Sequence, residues 1–134
     1  MEDSMKDKLN QWTEANEPKK AADYFINRMA FTIGPGDLFD EMKKKDNVNI
    51  IDVRSEEDFK KGHIPGAINL PEEKWPTLLG LNKDLMNVIY CYSMECHLAA
   101  KAAAQFAKSG FHVMELQGGY DRWKEKNFKI ETEE

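Results

Sequence analysis

The stretch that decides the fold is Val88-Ile89-Tyr90-Cys91-Tyr92-Ser93-Met94-Glu95-Cys96-His97. It starts within an apolar run that predicts a buried strand over residues 86–90. A short polar loop follows, and then an Ala-rich segment that predicts a helix over residues 97–109, closed by Gly110. A strand, a tight loop and a helix in this order are typical of sheets whose parallel strands alternate with helices.

The flanking sequence repeats this alternation. Further strands are predicted at residues 31–33, 47–53, 67–70 and 111–116, with helices or helical turns between them and a last helix that carries Trp123. The near-continuous β-branched run in residues 47–53 indicates a strand buried on both faces. The predicted fold class is α/β, with a central, mostly parallel five-stranded sheet and helices on both faces.

The chain length of 134 residues fits one domain. We divide it into an N-terminal helical extension over residues 1–30, the α/β domain over residues 31–128 and a polar tail over residues 129–134.

The extension is predicted to contain a helix that begins near Pro18. Leu9 and Trp12 indicate a weaker helix before it. The helix after Pro18 places apolar residues on one face, namely Ala22, Phe25, Ile26 and Met29. We expect that face to be covered by the same domain, by a protein partner or by a second copy of the chain.

Composition excludes several classes of protein. The net charge of −5, with Lys and Arg scattered among acidic residues, argues against a nucleic-acid partner. No apolar run approaches the ~18 residues of a membrane span, and the first eight residues are charged where a signal peptide is apolar. Two cysteines do not make a disulfide-rich scaffold. We therefore expect a cytoplasmic protein with free thiols and no membrane partner.

Cys91 is the first residue after the predicted strand 86–90, and parallel sheets bind ligands beyond the carboxyl ends of their strands. Loop amides around the sulfur and the dipole of the following helix both favour a thiolate. They are expected to lower the cysteine pKa from ~8.5 into the range ~3.5–7.5 and so to make Cys91 a nucleophile. The alternative is a buried, inert cysteine that packs like a small apolar residue.

The spacing of Cys91 and Cys96 also raises the question of a metal site, which would add His97 and His63. Adjacent Cys96 and His97 rarely aim at one ion, and no second cysteine pair completes a tetrahedral set. We predict neither a metal nor a cofactor. No G-x-G-x-x-G, P-loop or G-x-S-x-G motif occurs, which argues against nucleotide-binding proteins and serine hydrolases.

Three motifs occur in order around Cys91, and Tyr90-Cys91 falls between the second and the third. They are Ile51-Asp52-Val53-Arg54 with Glu57 and Phe59, then Gly62-His63-Ile64-Pro65-Gly66-Ala67-Ile68-Asn69, and then Gly118-Gly119-Tyr120-x-x-Trp123. Together they resemble the rhodanese domain over roughly residues 31–127, with Cys91 where that family carries its catalytic cysteine. The resemblance implies a five-stranded parallel sheet and sulfur transfer through a persulfide, from a small sulfur donor to a thiol or cyanide.

The motif residues also have physical roles of their own. Asp52 and Arg54 lie at a strand end beside the cysteine loop, where a buried pair can hold loop carbonyls and amides. Gly118 and Gly119 permit close approach of backbone beneath the loop. His63 is expected to anchor a turn, and Trp123 to lie in the core.

The cysteine loop departs from the common family pattern, Cys-x-x-Gly-x-Arg. Met94 stands in place of the glycine and Cys96 in place of the arginine, or Leu98 if the helix is counted back from Gly110. The loop thus has no Lys or Arg, and Glu95 adds a negative charge. Thiosulfate, a dianion, is disfavoured, and so is the oxyanion chemistry of phosphatases and arsenate reductases of this fold. Polysulfide, a small persulfide or a protein persulfide fits better as donor.

The first hypothesis is therefore a sulfurtransferase with Cys91 as nucleophile and persulfide carrier. The substrate-binding loop is predicted to consist of Tyr92, Ser93, Met94, Glu95, Cys96 and His97, with amides that stabilise the thiolate. One alternative is a non-catalytic rhodanese-like module for interaction or regulation. Another is a dithiol redox protein in which Cys96 is the resolving thiol.

Overall fold

A computed structural model of the chain describes residues 17–44 and 47–133. The weaker helix predicted around Leu9 and Trp12 lies outside these residues. The chain divides into two units, Met1–Ala30 and Phe31–Glu134.

The described part of the first unit is one helix, α1, over Pro18–Ala30. It begins at the proline that the sequence indicates as its start, because proline fits the first turn of a helix, where its missing N–H has no partner to lose. No residue of α1 is buried. Phe25, Ile26 and Met29, which the periodicity places on one face, are all exposed.

The second unit contains a five-stranded sheet in the order β1-β5-β4-β2-β3, with every neighbouring pair parallel. Its strands are β1 Thr32–Ile33, β2 Val48–Asp52, β3 Ile68–Asn69, β4 Met86–Tyr90 and β5 Val113–Leu116. Its α-helices are α2 Pro35–Met42, α3 Glu56–Lys61, α4 Leu98–Lys108 and α5 Gly119–Glu125. The predicted fold class is confirmed, and the neighbouring strands of the described sheet are parallel throughout.

The segment after Pro71 forms a 3₁₀ helix, Glu72–Thr77, with Pro76 inside it. The strand predicted from Phe111 begins only at Val113, because the Phe111 N–H donates to the Phe106 carbonyl and so closes the end of α4. Gly110, at φ 92°, makes the left-handed turn expected of a helix terminus.

The sheet separates two apolar clusters. Alternation along β4 sends Ile89 and the following Cys91 into the first cluster, with α4 and Trp75. Val88 and Tyr90 face the second cluster, with Leu38 of α2 and residues of α5.

The end of the chain is attached to this unit. The sequence predicts a polar tail over residues 129–134, but Glu131 forms an antiparallel bridge with His63. Ile130 packs against the second cluster, and the Glu133 N–H donates to the Lys60 carbonyl. Backbone pairing and one apolar side chain therefore hold a segment whose composition is mostly polar.

Among the described residues, no helix has the length and apolar character needed to cross a membrane.

Candidate active site

Cys91 follows β4, the middle strand of the sheet, and only 2% of its surface is exposed. Its S–H donates to the carbonyl of Cys96, with 3.6 Å between sulfur and oxygen. The backbone N–H groups of Tyr92 and Ala99 also face the sulfur. The Ala99 amide lies in the first turn of α4, where helix N–H groups lack partners within the helix. The predicted loop amides thus include Tyr92, while Ala99 lies beyond the predicted loop.

The prediction of a lowered pKa for the Cys91 thiol is wrong. The sequence predicts a lowered pKa, but burial raises the pKa of Cys91 to about 12. Hydrogen bonding and a coulombic interaction with the Cys96 side chain contribute to this rise in the pKa of Cys91. The Ala99 and Tyr92 amides lower it by less, because the apolar cluster around the sulfur penalises the charged form more strongly. The resting thiol is therefore protonated at neutral pH.

The backbone of the cysteine loop rests on the start of α5. The N–H groups of Tyr120 and Asp121 donate to the carbonyls of Cys91 and Tyr92, both at 2.9 Å. Gly119 has φ 59°, and a Cβ there would lie 2.7 Å from the Cys91 carbonyl oxygen. The predicted close approach is therefore confirmed at Gly119, because only glycine combines that φ with that contact.

The remaining loop residues form a tight turn, in which the Cys96 N–H donates to the Ser93 carbonyl at 3.2 Å. Ser93 and Cys96 are half-buried, whereas Glu95 and His97 are exposed. Met94 at the tip is 80% exposed. The tip therefore presents an apolar and an acidic side chain to solvent.

Tyr92 connects the loop to the start of α3. Its hydroxyl donates to Oδ2 of Asp58 at 2.6 Å, and Ser55 Oγ donates to the same oxygen at 3.0 Å. Ser55 Oγ also accepts from the Asp58 N–H, as an N-cap residue does. The hydrogen bonds from Tyr92 and then Ser55 lower the pKa of Asp58. A serine directly before a helix is typical of an N-cap, but nothing in the neighbouring sequence indicates a contact with Tyr92.

Asp52 and Arg54 form the predicted buried pair. Arg54 Nε lies 3.1 Å from both carboxylate oxygens, and Nη2 lies 2.8 Å from Oδ2. Nη2 also donates to the Gly62 carbonyl at 2.6 Å. Burial lowers the pKa of Arg54, but the hydrogen bonds and charge of Asp52 outweigh it, and the net change is upward. This pair therefore hydrogen-bonds to its own backbone and to that of Gly62.

Arg54 also contacts a group of tyrosines, two of which connect it to the cysteine loop. The guanidinium carbon of Arg54 lies 4.0 Å from the ring centre of Tyr120 and 5.7 Å from those of Tyr90 and Tyr92. Tyr92 belongs to the loop, and Tyr120 donates its N–H to Cys91. The sequence does not indicate this group, although Tyr90 directly precedes Cys91 and Tyr120 lies within the third motif.

Two other motif residues have the structural roles expected of them. His63 is buried, with Nδ1 2.8 Å from the Phe59 carbonyl and its ring stacked on Phe59. Trp123 is buried in the second cluster. Within residues 17–44 and 47–133, no three His, Cys, Asp or Glu side chains are grouped in a way that could hold a metal ion.

Comparison with known proteins identifies the family. The family model of the rhodanese-like domain matches residues 36–126. The thiosulfate sulfurtransferase GlpE of Shewanella oneidensis is 34% identical over 90 residues, which are 65% of this chain and 86% of that protein. The HTH-type transcriptional regulator Rv0324 of Mycobacterium tuberculosis is 37% identical over 78 residues, which are 58% of this chain. The match spans only 34% of that regulator.

Comparison with solved structures gives relatives of the same kind as comparison of sequences does. The BH2092 protein of Bacillus halodurans superposes with a TM-score of 0.78 at 34% identity, covering 87% of this chain and 88% of that one. A thiosulfate sulfurtransferase from Pseudomonas aeruginosa gives a TM-score of 0.63 at 28% identity, covering 76% of this chain and 19% of that one. These relationships support sulfurtransferase activity at the level of the family. With its fold, its ordered motifs and a match over residues 36–126, the chain belongs to the rhodanese-like domain family.

Proposed function

We propose that this protein is a sulfurtransferase that carries sulfane sulfur as a persulfide on Cys91. The observation that carries the proposal is the position of the Cys91 sulfur at the end of the central strand, facing the Tyr92 and Ala99 amides. Amides fixed in this way stabilise negative charge on sulfur without any movement during the reaction. The contact between Gly119 and the loop backbone keeps them in place.

The transfer has two steps. The Cys91 sulfur bonds to the terminal sulfane sulfur of a donor R–S–SH, the donor S–S bond breaks, and the departing RS⁻ takes the proton of the Cys91 thiol. A thiol or cyanide acceptor then takes the outer sulfur and regenerates Cys91. A protonated resting thiol suits a donor whose leaving group accepts that proton. The chemistry requires free thiols, which fits a reducing compartment such as the cytoplasm.

The loop favours a donor of low charge. Residues 92–98 contain no Lys or Arg, and the exposed tip carries Met94 and Glu95. A thiosulfate dianion approaching this tip meets a carboxylate, whereas polysulfide chains and small persulfides present a softer and less charged sulfur. We therefore propose that the sulfur donor of this protein is polysulfide or a persulfide, in contrast to the thiosulfate named for the GlpE relatives.

Thiocyanate formation tests the proposal. Parent protein is mixed with cyanide and either polysulfide or thiosulfate at equal concentration, and Cys91→Ser gives the background of the uncatalysed reaction. Cys96→Ala is the matched control, because it removes the neighbouring thiol and keeps the proposed nucleophile. We expect thiocyanate from parent and Cys96→Ala with polysulfide, and only background from Cys91→Ser. Parent-like turnover by Cys91→Ser would overturn the assignment.

A non-catalytic interaction module is the second candidate function. The burial of Cys91 and its raised pKa favour it, because an inert buried cysteine has these properties. In the same experiment, a parent protein that never exceeds the Cys91→Ser background supports this candidate. The exposed apolar face of α1 is then the first surface to test for association with a partner or with a second copy.

A further inference from the structure

The cysteine loop contains two free thiols of different accessibility. Cys91 is buried and Cys96 is half-buried, and both contact the first apolar cluster. The turn closed by the Cys96 N–H and the Ser93 carbonyl directs residue 96 back toward residue 91. The S–H of Cys91 points at the Cys96 carbonyl at 3.6 Å, and the Cys96 side chain is one of the groups that raise the pKa of the Cys91 thiol. The two cysteines are therefore in contact within one short loop, between the end of β4 and the start of α4.

We infer that Cys96 is a resolving thiol that releases the sulfur of a Cys91 persulfide as hydrosulfide. This inference rests on the proposed function, since it needs a persulfide on Cys91. It adds a further activity: the protein reduces polysulfide or persulfide sulfur to hydrosulfide, with electrons supplied by a dithiol reductant.

The release step balances without an added oxidant. The Cys96 thiolate attacks the inner sulfur of the Cys91 persulfide, and a bond forms between the two cysteine sulfurs. The bond between the inner and outer sulfurs breaks, and the outer sulfur leaves with its proton and the electron pair as HS⁻. The sulfane sulfur is reduced, and the two cysteines are oxidised to a disulfide. A dithiol reductant then reopens the disulfide by exchange and is itself oxidised.

The unequal exposure of the two thiols fits this sequence of steps. Because Cys91 is buried, a thiol of the same loop reaches its persulfide more readily than a thiol in solution does. Cys96, at the surface of the cluster, is the sulfur that a dithiol can reach when the disulfide must be reopened. A disulfide needs Cα atoms within ~7 Å. The exposed tip residues Met94 and Glu95 lose no packing if the turn tightens to meet this requirement.

The experiment follows sulfur through a single turnover. Parent, Cys96→Ala and Cys96→Ser proteins are loaded with polysulfide under anaerobic conditions and desalted, and no reductant is added. Hydrosulfide is then measured with time, and digests are searched by mass spectrometry for a Cys91–Cys96 bridge. Anaerobic handling ensures that a bridge does not come from oxygen. The serine variant keeps the size of the side chain, so that a change in packing alone does not imitate loss of the thiol.

We expect the parent to release one equivalent of hydrosulfide and to form the bridge, after which it loads sulfur again only when a dithiol is supplied. Both Cys96 variants should still gain one sulfur atom on Cys91 and should retain it at least ten times longer than the parent does. Equal rates of sulfur loss in all three proteins, with no bridge in the parent, would overturn the inference and leave Cys96 as a packing residue. Undiminished loading of Cys91→Ser in a parallel sample would instead contradict the proposed function.

Discussion

The hydroxyl of Tyr92 donates a 2.6 Å hydrogen bond to Oδ2 of Asp58, 34 residues away in the sequence. Tyr92 follows Cys91 directly, and Asp58 lies in the first turn of α3. This bond therefore fixes the loop that covers the Cys91 sulfur to a helix on a different segment of the chain. The same carboxylate oxygen also accepts from Ser55, so that one acidic side chain joins the helix cap to the loop.

Replacing Tyr92 by Phe tests this connection, because it removes the hydroxyl and keeps the ring near Arg54. We expect a loss of about 0.5–1.5 kcal/mol in the free energy of unfolding, toward the lower figure because Tyr92 is partly exposed. The pKa of Asp58 should rise in the variant, since its largest lowering interaction is the Tyr92 hydrogen bond. Urea unfolding and an NMR titration of the Asp58 carboxyl measure the two effects.

The contribution of Asp58 to the free energy of unfolding also depends on pH with a defined sign. A lowered folded-state pKa of Asp58 stabilises the fold above the pKa of the unfolded chain, and this contribution disappears as pH falls through the folded value. The stability difference between parent and Tyr92→Phe should therefore shrink under acid conditions. A difference that stays constant down to the acid transition would show that the hydroxyl does not act through Asp58.

The ionisation of Cys91 is directly measurable in Cys96→Ala, which has a single thiol. Burial, the largest cause of the raised pKa, remains in that variant. The rate of alkylation by iodoacetamide should rise about tenfold per pH unit between pH 7 and pH 10, because it follows the thiolate fraction. A plateau below pH 9 would contradict the raised pKa and restore the lowered value that the loop amides predict.

The Asp52–Arg54 pair should be essential to stability. Arg54→Leu leaves the Asp52 carboxylate buried without its cation, and removing one partner of a buried pair costs about 3–5 kcal/mol. The double variant Asp52→Asn/Arg54→Leu should regain part of that loss, since it buries no charge. Denaturant unfolding of the three proteins measures this. An Arg54→Leu protein as stable as the parent would mean that solvent reaches the pair.

The charge of the cysteine loop predicts which sulfur donors the protein uses. With a carboxylate and no Lys or Arg in residues 92–98, thiosulfate turnover should be at least about tenfold slower than polysulfide turnover. Glu95→Arg should raise the rate with thiosulfate, and Glu95→Gln, the neutral control, should raise it less. Initial rates of thiocyanate formation at low and high salt compare these proteins. Equal use of both donors by the parent would show that counter-charge reaches the site from outside the loop.

Local patterns predict the sheet and the position of Cys91 well. The apolar run ending at Tyr90 is a strand with the predicted bounds, and the Ala-rich segment after the cysteine loop is a helix close to its predicted bounds. Each depends on neighbouring residues and on the period of the apolar side chains. The five-stranded parallel sheet follows from the order of such elements.

The ionisation state of the site does not follow from such patterns. The pKa of Cys91 depends on a cluster that includes Val53, Trp75 and Phe106, which come from three separate segments. The contact between Arg54 and Tyr120 likewise joins residues far apart in the chain. The local context of Cys91 reveals the amides and the helix start, which lower a pKa, but not the apolar packing that outweighs them.

The most direct test of the central claim is the intact mass of the protein before and after anaerobic treatment with polysulfide. Parent and Cys96→Ala should each gain the mass of one sulfur atom, measured immediately after loading, on the peptide that contains Cys91. Dithiothreitol should remove that mass, and Cys91→Ser should not acquire it. An unchanged mass in the parent and in Cys96→Ala, or a gain that persists in Cys91→Ser, would contradict the assignment of Cys91 as the sulfur carrier.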